Sequence, residues 1–454
     1  MVVLALSIEA SFAAVPAALV LFEIIDKNYR IFLLTTELYT NRIPFLYAQF
    51  SDTIGEQHWK RRVRKCLEAI KGNPLLDDVL RDENRIAFQL DRLSQILAAN
   101  MWPTLPQEDA RELYQSATFM AQTLSLAESL DNVQSARLIR RIHGAFKNPD
   151  DMRALDLELA VATHFTRAGL GVEWQESGAG KGFDLLVDPG NGFKFEVECK
   201  SISTDKGRKI HQHEARDFFR LVDLALKDAK FVPEGGISMV LTIDDRLPTA
   251  YKIRLELAKR VAAAMKNKSS VQYPEDVVIN VKEFDPVRLQ TLWSSDRDKG
   301  RALVDEITES PNCNSLIRQN SAGHVTILTI KSLRDDNFVH AVFETMKDAA
   351  SEQFSKQRAA VLMVELFGID NAQMLQLEEQ DRTDTPTSLR VRASQFLDSR
   401  ARQHIAQVYF SSRQSFSQRS DTSFTSNATT YFFENRGSLF WNDRLSTLFD
   451  GLQS

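Results

Sequence analysis

Cysteine is scarce in this chain: Cys66, Cys199 and Cys313 are the only three in 454 residues, and they lie far apart. No disulfide framework and no zinc spacing such as C-x2-C can be written with them, so a disulfide-stapled scaffold is excluded and a reducing, cytoplasmic setting is expected. Excess positive charge is lacking too. With 56 Lys and Arg against 61 Asp and Glu the formal net charge is −5, so any hold on nucleic acid has to come from a local patch. The apolar stretch 1–22 has no basic residue before Lys27 and is interrupted by Glu9 and Pro16, which argues for buried segments at the start of a domain and against a signal peptide or membrane association. No internal repeat is evident.

What is present is a composition of 43% hydrophobic and 26% charged residues, that of a globular protein and not of a disordered one. The length implies two or three domains. Residues 29–36 read equally as strand or helix. From Asp52 to Phe146 the apolar spacing is helical, clearest over Glu83–Ala99 and Gln107–Leu130, and Lys147-Asn148-Pro149-Asp150 then reads as a linker and helix cap. Basic residues cluster at 60–65 and at Arg137, Arg140 and Arg141, and a solvated helix face is the simpler reading of both. Beyond Pro248 helices and strands alternate, with strands expected at 276–281, 324–330, 360–366, 404–410 and 429–433, and with the Ser/Thr/Arg-rich stretch 411–426 expected as a long loop. Glu365 reads as structural. The expected organisation is a mainly helical domain over 1–148, a central domain over 149–247 and an α/β region over 248–454.

The central segment carries the chemistry. Residues 182–201, GFDLLVDPGNGFKFEVECKS, hold two short Phe/Val/Leu-rich runs around a Pro-Gly-Asn-Gly turn and read as a β-hairpin. Side chains alternate along a strand, so Phe195, Val197 and Cys199 share the core face while Glu196, Glu198 and Lys200 share the other, and Asp184 opens the partner strand. Charges placed so close to a packed sheet are costly unless paired or bound to a metal. The order Asp184, then Glu198-x-Lys200 on a hairpin, resembles the active-site motif of the PD-(D/E)XK, restriction-endonuclease-like nucleases, with Phe183 standing where that pattern has proline.

The resemblance implies an αβββαβ core. The sequence offers a helix over 150–169, strands over 172–175, 183–187 and 193–201, a helix over 211–227 and a strand over 237–243. On the first helix Arg153, Asp156, His164 and Arg167 form a polar face, and Glu158 is the one charge in the apolar arc, where a fourth active-site residue would stand. The resemblance further implies Mg²⁺, with Mn²⁺ as substitute, held by Asp184, Glu198, the backbone carbonyl of Cys199 and Glu158, while Lys200 orients or deprotonates the attacking water. The locally basic stretch 203–220 would meet the phosphates through Lys206, Arg208, Lys209, Arg216 and Arg220. Ser177 to Gly182 is not a P-loop, because a strand follows it and not a helix. The expectation is a cytoplasmic, metal-dependent nuclease acting on DNA more than RNA, without membrane contact, suited to homodimerisation on duplex DNA and, by analogy of fold alone, to defence against foreign DNA. The alternative is a non-cleaving nucleic-acid-binding or assembly protein on the same fold.

Overall fold

The computed structural model describes residues 29–448 except 176–181, 191, 204, 230, 232–233, 275, 288, 290–296, 312, 384 and 421. The apolar N-terminal stretch, most of the glycine-rich segment before Asp184, and Asn191 of the hairpin turn lie outside the described residues. Two compact units account for the chain, one from residues 66–82 and 207–338 and a larger one from residues 29–65, 83–206 and 339–448. The division differs from three consecutive segments because the chain interrupts one sheet to build another.

Strand β1 (Tyr29–Tyr39) is followed by helices α1 (Ile43–Ile54), α2 (Gln57–Gly72), α3 (Asp77–Glu83), α4 (Arg85–Ala98), α5 (Gln107–Arg111), α6 (Tyr114–Ser129) and α7 (Asn132–Ala145), the helical region expected from the apolar spacing. Trp59, Phe50, Phe119 and Phe146 pack together at its centre with ring centroids 5.7–6.4 Å apart. Helix α8 (Pro149–Arg167) starts where its sequence says it should. The Asn148 side chain accepts from Asp150 N, proline takes the first turn, and two aspartates face the positive end of the dipole. It is buried nearly all round, and of the polar face expected there Arg153, Asp156 and His164 pack against protein while Arg167 is exposed.

Strands β2 (Gly171–Trp174), β3 (Leu185–Asp188) and β4 (Phe195–Ile202) form an antiparallel meander, and β3 with β4 is the expected hairpin. The chain then builds the smaller unit: α9 (Gln212–Asp228), β5 (Gly236–Ile243), α10 (Tyr251–Lys266), β6 (Val271–Tyr273), β7 (Val277–Phe284), α11 (Arg297–Thr308), β8 (Asn314–Gln319) and β9 (Val325–Ser332). Its sheet runs β6-β7-β5-β9-β8 over a core of its own that includes Phe218, Phe219, Met239 and Leu241. Asn337 N donates to Gly207 O at 3.0 Å and closes the excursion.

The larger unit resumes with α12 (Phe338–Glu352), β10 (Ala359–Leu366), α13 (Asn371–Asp381), α14 (Ser388–Leu397), β11 (Ile405–Ser412), β12 (Ser415–Ser420) and β13 (Ser423–Glu434). Its sheet runs β1-β13-β11-β10-β4-β3-β2, with β12 on β13 and with β10 parallel to both β4 and β11. Two expectations are corrected here. The helix over 211–227 and the strand over 237–243 exist, but β5 pairs with β7 and β9, and the edge of β4 is taken by β10 from Ala359↔Phe195 to Leu366↔Ile202. The stretch 411–426 is strand at both ends and in the middle, its polar side chains bonding across the ladder, as Ser417 and Thr425 do at 2.9 Å.

Candidate active site

The pairing of β3 with β4 stops at Leu185↔Val197, and β4 runs on alone on that edge to Ile202. Asp184 sits at this fork. Its N–H donates to Val197 O at 3.1 Å and its carbonyl accepts from Gln175 N at 3.0 Å, so the backbone is pinned between β4 and the end of β2. The Asp184 carboxylate then replaces the missing strand, Oδ2 accepting from Cys199 N at 2.8 Å. Two residues of the expected motif are thereby joined through the backbone of the residue between Glu198 and Lys200.

Glu198 and Lys200 share a face of β4, and Lys200 Nζ lies 2.6 Å from Glu198 Oε1, with Glu198 only 1% exposed. Glu158 reaches the same cleft from α8. It is 2% exposed, and its Oε1 accepts from Arg141 Nη2 of α7 at 2.7 Å. The cleft has a volume of about 520 Å³. Four carboxylates line it (Asp151, Glu158, Asp184, Glu198) beside four cationic side chains (Arg137, Arg140, Arg141, Lys200), a balanced local patch in a chain of net negative charge.

The carboxylates are not at ease. Burial, and then the neighbouring Glu158 and Glu198, hold the Asp184 proton well above the usual carboxylate range. Burial raises Glu198 as well, and Lys200 beside it pulls it back. Glu198 Oε2 is buried and finds no donor among the described residues. Glu196, on the same face of the same strand, makes the contrast. It is fully buried, but it accepts from Ser355 N at 2.8 Å, from the Ser355 hydroxyl and from Arg358 Nη1 at 3.1 Å. One glutamate is satisfied by the scaffold and the next is left open toward the cleft.

Hard oxygen donors crowded until one keeps a proton fit a divalent cation, which relieves the repulsion that the proton relieves here. Asp184 and Glu198 fit that role directly. Cys199 contributes backbone only: its thiol is buried and pushed well up by that burial, so it offers no thiolate. Among the described residues no three His, Cys, Asp or Glu side chains close on one point as metal ligands. Glu158 is turned to Arg141 and Glu198 to Lys200.

The expected phosphate contacts fare differently. Lys206, Arg208, Lys209, Arg216 and Arg220 do not line the cleft. Arg216 is 1% exposed on the inner face of α9, so contact with a polyanion is excluded for it, and Arg208 is buried too. Lys209 pairs with Asp245 at 3.1 Å. Sequence reasoning took the α7 arginines as a solvated face and did not single out Asp151, Trp174 or Gln353, all of which line the cleft. The spacing of Arg137, Arg140 and Arg141 at i, i+3 and i+4 was the available signal, since it places them on one helix face.

Glu365 lies outside the cleft lining. Ser201 Oγ donates to it at 2.6 Å, and burial pushes it up to about 7, while burial pushes nearby Asp156 to about 6. Among the described residues no helix is long and apolar enough to cross a membrane. Comparison with protein-family models, curated proteins and solved structures finds no match to this chain.

Proposed function

We propose that the chain is a divalent-cation-dependent nuclease that hydrolyses phosphodiester bonds, in DNA by preference, at the cleft formed by Asp184, Glu198, Lys200 and Glu158. The observation that carries this is the pair of glutamates on β4: Glu196 has a full set of donors, whereas Glu198 lines the cleft beside Asp184 and Lys200 with its buried Oε2 unmatched by any donor among the described residues. Perturbed carboxylates beside a lysine in a concave site are the mark of catalysis more often than of scaffolding.

The fold supports the same reading. With residues 207–337 set aside, the order is helix α8, meander β2-β3-β4, helix α12 and strand β10 parallel to β4, the arrangement that the PD-(D/E)XK resemblance implies. A cation held by Asp184 and Glu198 would lower the pKa of bound water and neutralise charge on the phosphate. Lys200, 2.6 Å from Glu198 and a quarter exposed, brings a positive charge to the cleft where the phosphate oxygens gain negative charge. Arg141 holds Glu158 at the cleft wall through its 2.7 Å ion pair.

The test is cleavage of plasmid, linear and single-stranded DNA and of RNA with Mg²⁺ or Mn²⁺, against EDTA and against Asp184→Asn and Lys200→Met. Cleavage lost in all three controls is expected. Cation-independent binding with no cleavage by any form would replace this reading with that of a binding protein.

A further inference from the structure

Arg137, Arg140 and Arg141 recur at i, i+3 and i+4 and so project from one face of α7, and all three line the cleft that contains Asp184, Glu198 and Lys200. They face a wall of opposite character. Asp151, Ala154 and Glu158, spaced i, i+3 and i+7 on α8, come from the helix that packs beside α7. Were the stripe only a solvated helix face, its guanidiniums would lie away from any cavity. Instead Arg141 is two-thirds covered and bonded to the buried Glu158, and beside it half-buried Arg137 and exposed Arg140 line the same cleft.

We infer that this arginine stripe is the phosphate-binding wall of the site, seating the phosphates next to the scissile one along a polynucleotide strand. The inference rests on the nuclease reading for the polymer it names. Guanidinium forks bind phosphate oxygens bidentately, which suits a wall that must hold a flexible backbone in register with the carboxylates. Arg137 and Arg141 are one turn apart, about 6 Å along the helix axis, a spacing comparable to that of neighbouring phosphates on a strand. Two further buried polar atoms at the cleft, Trp174 Nε1 and Gln353 Oε1, have no hydrogen-bond partner among the described residues and offer a donor and an acceptor to the same ligand.

The test is fluorescence anisotropy of labelled single-stranded DNA, duplex DNA and RNA oligonucleotides with the full chain in EDTA, over a KCl series. It compares wild type with the double variant Arg137→Gln/Arg140→Gln, with Arg141→Lys, and with Arg61→Gln/Arg64→Gln on the exposed basic face of α2. The stripe variant is expected to bind at least about tenfold more weakly, the worth of one charge-assisted hydrogen bond. Its salt slope on a single strand should fall by about 1.4, because two phosphates are no longer neutralised. The α2 variant should match wild type, and thermal melts should show all variants folded; Arg141→Lys keeps a cation beside Glu158, so weaker binding there reports geometry and not collapse. Wild-type affinity in the stripe variant, an equal loss in the α2 variant, or no binding by wild type overturns the inference. Cleavage with Mg²⁺ on the same samples separates the two claims: cleavage by wild type with unchanged binding in the stripe variant removes the arginine wall alone, and weakened binding with no cleavage by any form removes the nuclease alone.

Discussion

Glu365→Gln should stabilise the larger unit, and by an amount that depends on pH. Glu365 stands on β10 opposite Ser201 of β4, 8% exposed, with Ser201 Oγ as donor and Asp156 adding negative charge nearby. Its pKa of about 7 against an ordinary 4.5 means that the native state holds a proton that the unfolded chain releases. The sign follows from linkage: a raised carboxyl destabilises increasingly as pH climbs from the unfolded value through the folded one, and the deficit levels off above it. A gap of that size costs roughly 3 kcal/mol at about pH 8 and under about 1 kcal/mol at about pH 5. Glutamine removes the titration while keeping an acceptor for Ser201. Urea unfolding at the two pH values should therefore show the variant gaining on wild type by roughly 2.5 kcal/mol between about pH 5 and about pH 8. An equal difference at both would refute the argument, because it would mean that Glu365 does not change charge on unfolding in that window.

Asp184→Asn should abolish cleavage and yet raise the melting temperature in EDTA, since it removes the carboxyl most strongly crowded by Glu158 and Glu198; a lower melting temperature would place Asp184 in the scaffold. Glu196→Gln should cost stability by roughly 1–3 kcal/mol through its hydrogen bonds to Ser355 and Arg358 and spare the chemistry of folded enzyme, whereas Glu198→Gln should do the reverse, a contrast read by paired melts and cleavage rates. Mg²⁺ binding should release protons and tighten with rising pH, because burial raises both Asp184 and Glu198 above the usual carboxylate range; calorimetry in buffers of different ionisation enthalpy counts the protons, and a count of zero contradicts the raised carboxyls.

The hairpin was legible because everything that makes it is local: a turn rich in proline and glycine, alternation along each strand, and charges placed out of pattern. Glu158 was legible for the same reason, as a charge in an apolar arc. What failed was long-range. β5 and β10 are both eight-residue strands buried at every position, each preceded by an amphipathic helix, so nothing in either marks which one lies beside β4. Parallel pairing carries no turn signal to decide it. The nearer candidate, α9 with β5, belongs to the other unit, and the true partner begins some hundred and sixty residues after β4 does. The same error directed two of the expected phosphate contacts to α9, whose Arg216 is core. The α7 arginines were visible as a stripe, but spacing says which residues share a face and not what that face meets. In 411–426 the density of serine and threonine suggests loop by composition, whereas these residues form strands whose hydroxyls bond one another across the ladder.

The excursion from β4 to α12 makes a prediction that the local signals could not. Gly207 O and Asn337 N are 3.0 Å apart, and Lys209 N donates to Asp336 Oδ1 at 2.8 Å, so the segment leaves and returns at one point. Its sheet and core are its own, and every residue lining the cleft lies within 137–201 or at Gln353. Replacing residues 208–336 by a short Gly-Ser link should therefore leave a chain that folds and keeps cation-dependent cleavage. The expected cost arises in residues 66–82, which group with the smaller unit. Leu75 and Asn73, from the segment between α2 and α3, belong to the smaller unit: Leu75 is 8% exposed in its core, and Asn73 Nδ2 donates to Asp217 Oδ1 at 2.9 Å. Removing their cover forfeits the burial of one leucine, roughly 2 kcal/mol, and leaves an apolar side chain in water. Leu75→Ser in the shortened chain should restore solubility without restoring that stability. Size-exclusion chromatography, a cooperative melt and the cleavage assay decide it: a folded shortened chain that has lost all cleavage while the full chain retains it would mean that the active site draws on residues 208–336, against the placement of all four motif residues in the larger unit.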